Sequence, residues 1–165
     1  MQEWQELLEE YQKGPERLTE LIQKLPENSL DLSAENDSWT IRQIIHHIVD
    51  GDDIWNGFIK QALGGQGGEY ISLRWYWKVP QDEWVEHWAY SQRELEPSLA
   101  LYRANRGSMV SLLSAVPDGW QRTLEITWPG GETQTLSVRD VVQMHVDHLQ
   151  GHSDDIQSIL NTLAD

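Results

Sequence analysis

The chain has 165 residues and no cysteine, which suits one domain over residues 1–165 whose core forms without disulfides; zinc–thiolate sites and cysteine nucleophiles are excluded. Its formal charge of -15, from 27 acids and 12 bases, argues against nucleic acid and against an anionic membrane surface, since both attract basic proteins. Met1 to Glu10 is acidic and lacks the apolar stretch of a secretory leader, and no apolar run approaches the roughly 18 residues of a membrane span, so a cytoplasmic setting is expected.

Residues 3–25 carry Trp4, Leu7, Leu8, Tyr11, Leu18, Leu21, Ile22 and Leu25 at helical spacing, with Gly14-Pro15 marking a kink or break. Pro26 to Asp37 reads as a loop. A second helix starts at Ser38 or Thr40, where Thr40-Ile41-Arg42-Gln43 fits a capping box, and its apolar stripe runs from Ile41 to Ala62. Gly64-Gly65-Gln66-Gly67-Gly68 ends it. Residues 81–95 look helical, and Pro97 is expected to open a third long helix reaching Pro117. The alternation in Thr123-Leu124-Glu125-Ile126-Thr127-Trp128, followed by Pro129-Gly130-Gly131, predicts a short hairpin or an extended loop. Ser137 and Asp140 cap a fourth helix that runs to about Leu163. Four main helices predict an all-α bundle. Nine tryptophans against one phenylalanine are expected mainly to fill its core, with some lining a pocket.

The fourth helix carries the most informative pattern. Val138, Val142, His145, Leu149, His152, Ile156, Ile159 and Leu163 recur in steps of four and three, so two histidines hold seam positions where leucine is the default, and His148 flanks the seam. A buried imidazole needs partners for both nitrogens, and a divalent metal gives several of them a shared one. His145 and His152 lie about 10.5 Å apart along the axis, too far for joint ligation, whereas His148 pairs with either. A third ligand from the second helix falls on His47, at the edge of the buried stripe, in preference to His46. His87, beside two tryptophans, reads as structural or exposed.

Trp39-Thr40-Ile41-Arg42-Gln43-Ile44-Ile45-His46-His47-Ile48-Val49-Asp50-Gly51 and His145-Val146-Asp147-His148-Leu149-Gln150-Gly151-His152-Ser153-Asp154-Asp155-Ile156 resemble the second-helix and last-helix motifs of the DinB-like superfamily. The resemblance implies an up-down-down-up four-helix bundle with metal ligands His47, His148 and His152; His145 then braces a ligand from behind or lines the pocket. Relatives often carry a basic residue and a glutamine after the last histidine, where this chain has Ser153-Asp154-Asp155. The family's assigned activities imply hydrolysis, or transfer of a low-molecular-weight thiol to a small-molecule electrophile. Zinc or nickel suits such a site first, then iron, manganese or copper. A homodimer is expected by the same analogy. The alternative is a non-catalytic metal-binding or small-molecule-binding stress-response protein with a structural metal. No general base stands out; Glu69, Glu125 and Asp147 are carboxylates that spacing alone does not place. His-Glu-x-x-His, Gly-x-Ser-x-Gly, P-loop and dinucleotide motifs are missing.

Overall fold

The computed structural model of the chain describes residues 3–35, 38–65 and 69–162. Its elements in order are α1 (Glu3–Ile22), α2 (Ile41–Gly64), β1 (Glu69–Ser72), α3 (Gln81–His87), α4 (Leu95–Ala115), β2 (Thr123–Thr127), β3 (Thr133–Ser137) and α5 (Val138–Thr162), with 3-10 turns at Glu27–Asp31, Tyr90–Gln92 and Pro117–Gln121. The four long helices form the bundle: α1 packs on α4 and α5, and α2 packs on the same two. No helix among the described residues is long and apolar enough to cross a membrane.

Local chemistry sets the helix starts. The Thr40 hydroxyl accepts from the Gln43 backbone N–H at 3.3 Å, and the Gln43 side chain accepts from the Thr40 N–H at 2.8 Å, which is the expected capping box. Ser137 and Asp140 make the same reciprocal pair at the head of α5. Arg42 pairs with Glu27 and Asp31, tying the first 3-10 turn to α2.

Several expectations need correction. The fold is mainly helical but not all-α: β1 pairs parallel with β2, which pairs antiparallel with β3, so the expected hairpin forms the larger part of a three-stranded sheet. The Gly14-Pro15 step does not break α1, because the carbonyl that the proline leaves without its helical donor is met from another helix, as described below. The 81–95 segment is helical only to His87. Ala89 adopts a left-handed conformation, φ 51°, and the chain bends there to bury Tyr90 and bring Arg93 to Asp50. The third long helix starts at Leu95, with Pro97 inside its first turn, where no backbone donor is required. Leu163 lies outside the described residues, as do Gln66, Gly67 and Gly68 of the glycine loop. Among the tryptophans Trp120 is fully buried, Trp75 is largely exposed, and most of the others pack half-buried against the core.

The apolar interior forms two clusters. In each long helix, buried polar or small residues fall between the stretches that feed them: Gly14 and Pro15 in α1, Asp52 and Asn56 in α2, Arg106 in α4, His145 in α5. The core is thus divided by a polar layer, and the histidines stand beside it.

Candidate metal centre

Neighbouring positions on a helix point about 100° apart. His46 and His47 therefore face different partners. His46 is wholly buried against α4; its Nδ1 lies 3.0 Å from Ser98 Oγ and its Nε2 3.3 Å from the Arg93 carbonyl oxygen. A carbonyl only accepts, so Nε2 carries the proton and Nδ1 accepts from the serine. Both nitrogens are used, and burial lowers the His46 pKa to about 4.

His47 faces α5. Its Nε2 lies 3.0 Å from His148 Nε2, and its ring centroid is 5.0 Å from those of both His148 and His152, which are themselves 4.6 Å apart. One nitrogen from each of the three lies within 4.8 Å of the others. Tetrahedral ligation at about 2.1 Å places ligand nitrogens some 3.4 Å apart, so the cluster brackets the spacing a first-row divalent ion requires. The donor chemistry fits as well. Burial, reinforced by the neighbouring imidazoles, lowers His47 to about 3 and His148 to about 4, which keeps both neutral with lone pairs available. His152 Nδ1 lies 2.9 Å from Asp155 Oδ2, which fixes its proton there and leaves Nε2 as the donor atom.

Trp39 flanks this cluster. Its indole meets the His47 ring edge-on at 4.8 Å, stacks near His152 at 6.4 Å, and donates from Nε1 to Asp82 Oδ1 at 2.8 Å, linking α3 to the site. His145 is not with the three. It is 5% exposed, and its Nδ1 lies 3.1 Å from Asp52 Oδ1, within ion-pair range but without hydrogen-bond alignment. Burial pushes the Asp52 carboxyl up, but His145 and Arg106 more than offset this and hold it below the usual carboxylate range. His87 is exposed beside Trp84.

A cavity of about 180 Å³ adjoins the cluster, lined by His47, His148, His145, Asp52 and several tryptophans. Neither carboxylate considered for a base in the sequence and described in the structure reaches it: Glu125 is exposed on β2, and Asp147 is exposed and accepts from Gln143. The Glu69 side chain lies outside the described residues. Asp52 and Arg106, absent from the sequence reading, are the charged groups on the cavity wall. A signal for them exists: Ile48, Asp52, Trp55 and Ile59, and Leu99, Tyr102, Arg106, Met109 and Leu113, each place one charge of opposite sign on a seam.

Comparison with known proteins finds several that are similar to this chain. "Putative metal-dependent hydrolase YfiT" of Bacillus subtilis is 28% identical over 117 residues, covering 70% of this chain but only 60% of that protein. "Putative metal-dependent hydrolase OB0782" of Oceanobacillus iheyensis is 27% identical over 154 residues, covering 93% of this chain and 84% of the relative. A solved structure of YfiT from Bacillus subtilis, described as a probable metal-dependent hydrolase with an unusual four-helix bundle topology, superposes with a TM-score of 0.82 at 18% identity over 97% of this chain and 87% of that one. At that identity the likeness shows the fold. The DinB superfamily model matches residues 10–156, which span α2 and the histidine-bearing part of α5, and the chain belongs to that superfamily.

Proposed function

We propose that this protein is a metal-dependent enzyme in which His47, His148 and His152 hold one divalent ion, zinc or nickel foremost, to activate water or a low-molecular-weight thiol toward a small-molecule substrate. The observation that carries the reading is the convergence of three imidazoles from two helices, two of which, His47 and His148, also line a cavity. An ion held by three neutral nitrogens keeps its full charge and supplies Lewis acidity that lowers the pKa of a coordinated water or thiol. The chain's own part is to keep His47 and His148 neutral by burial, to orient His152 through Asp155, and to seat the substrate beside them.

Two finer readings go with it. The helix directions read as up-down-down-up, supported by paired positions that climb together along α2 and α4, His46 with Ser98 and Asp52 with Arg106, while α5 runs against α2, His47 with His152 and Asp52 with His145. A cytoplasmic setting is supported by the absence of cysteine.

Metal analysis of tag-free protein tests the site, with about one equivalent expected. A screen of esters, amides and thiol–electrophile pairs then separates hydrolysis from thiol transfer. Full metal retention in a His47→Ala/His152→Ala double variant overturns the proposal.

A further inference from the structure

The cavity beside His47 and His148 has a wall that holding a metal does not use. Trp55, Trp128, Trp77 and Tyr76 all line it, and their rings form one run. The ring centroids of Trp55 and Trp128 lie 6.1 Å apart, those of Trp128 and Trp77 6.3 Å, and those of Trp77 and Tyr76 4.9 Å. The run draws on α2, on the segment between β1 and α3, and on the turn after β2, so only the folded chain assembles it.

What the indoles present is carbon. Trp77 and Trp128 are half-buried, yet Trp77 Nε1 is sealed from solvent and Trp128 Nε1 donates to Gln134 Oε1 at 2.9 Å. An indole has no other polar atom, so the surface these two leave to a ligand is apolar. His145 lines the cavity with both ring nitrogens sealed as well. Among the described lining residues Asp52 and Arg106 carry opposite charges, and they pair with each other at 2.8 Å with 2% of each side chain exposed. A charged ligand finds no unpaired partner there, and taking a charge out of water without one is costly. Size sets the last limit: an apolar cavity of about 150 Å³ admits benzene, so about 180 Å³ admits one ring with a small substituent.

We infer that this cavity binds an uncharged, single-ring aromatic group, its ring packed against the run from Trp55 through Trp128 and Trp77 to Tyr76. Recognition is by ring contact: aromatic pairs attract beyond the area they bury, an advantage a saturated ring of the same size lacks. That this group belongs to a substrate set beside the metal rests on the metal-centre reading above; the cavity's capacity to bind it does not.

Benzyl alcohol, cyclohexylmethanol and benzoate are the probes, titrated by calorimetry into the metal-loaded protein and into the same protein after chelation. The two alcohols share a hydroxyl and differ in the ring. Benzyl alcohol is expected to saturate both forms and to bind at least about threefold more tightly than cyclohexylmethanol. Trp77→Leu removes one ring and, since Nε1 has no partner, no hydrogen bond. It should erase most of that preference, with circular dichroism confirming the fold; the wild-type comparison stands even if this variant does not fold. The proposal is overturned if benzyl alcohol fails to saturate the metal-free form by about 10 mM, in the range of very weak binding. It is also overturned if cyclohexylmethanol matches benzyl alcohol on the wild-type chain, if benzoate binds the metal-free form as tightly as benzyl alcohol, or if a folded Trp77→Leu variant keeps the full preference. A chain that takes up no metal yet prefers benzyl alcohol removes the metal-centre reading alone. A metal-loaded chain that binds none of the three probes removes this proposal alone.

Discussion

Arg106 Nη1 lies 2.9 Å from the carbonyl oxygen of Tyr11, the oxygen that Pro15, four residues later, has no N–H to meet. The guanidinium thus completes α1 from α4. It also pairs with Asp52 on α2, lies over the Tyr11 ring at 3.7 Å from the centroid, and reaches the His145 carbonyl oxygen on α5 at 3.4 Å. One side chain therefore touches all four long helices, in the layer that separates the two apolar clusters.

Arg106→Met should cost about 3–5 kcal/mol, because it strands the Asp52 carboxylate in the core and leaves the Tyr11 carbonyl unmet. Arg106→Lys should not restore the loss, since an ammonium lacks the planar fork. Urea unfolding checks both. Combining Arg106→Met with Asp52→Leu should cost well under the sum of the single changes, by more than about 1 kcal/mol; strict additivity would show that the two charges do not depend on each other.

Gly14→Ala is expected to destabilise the protein even though alanine is the better helix former by about 1 kcal/mol. A Cβ there would lie 3.0 Å from Leu149 Cδ2, 3.1 Å from the Tyr102 hydroxyl and 3.3 Å from Arg106 Nη1, all on buried side chains. The net loss should be about 1–2 kcal/mol, in the range of core overpacking. A rise in melting temperature would mean that the layer yields more easily than its contacts imply.

His47→Ala and His152→Ala should each abolish stoichiometric metal binding while circular dichroism stays helical. His46→Ala should keep the metal and lose stability, because its ring bonds Ser98 and the Arg93 carbonyl rather than facing the cluster. Asp155→Ala removes the group that orients His152 and should weaken metal affinity about 10–100-fold. Metal binding that survives His152→Ala but not His145→Ala would move the site.

The metal-free protein should lose stability as the pH falls below about 6.5. His46, His47 and His148 have folded pKa values lowered to about 4, 3 and 4 from an ordinary 6.5. Above 6.5 neither state binds these protons; below it the unfolded chain takes them up and the folded chain does not. Each should therefore cost about 1.4 kcal/mol by pH 5.5 relative to high pH. Urea midpoints at pH 7.5, 6.5 and 5.5 test this, and a flat profile over that range refutes it.

Periodicity and capping residues determined the four long helices and the inward histidine face of α5, because each depends on residues within a turn or two of one another; the segment before α5 stayed open between a hairpin and an extended loop. Thr40 with Gln43 and Ser137 with Asp140 locate helix starts without reference to the rest of the chain. The choice of His47 over His46 rested on the edge of the apolar stripe and in part on family resemblance, and that of His152 over His145 on family resemblance. Only the tertiary structure shows where the other two histidines lie: His46 meets Ser98 across the α2–α4 face, and His145 meets Asp52 across the α2–α5 face. The strand at 69–72 was likewise invisible locally, since its partner lies 55 positions along the chain, Glu69 against Leu124. The continuity of α1 through Pro15 has the same character. A local rule predicts a kink or a break, and an arginine 95 positions from Tyr11 supplies the donor that Pro15 lacks.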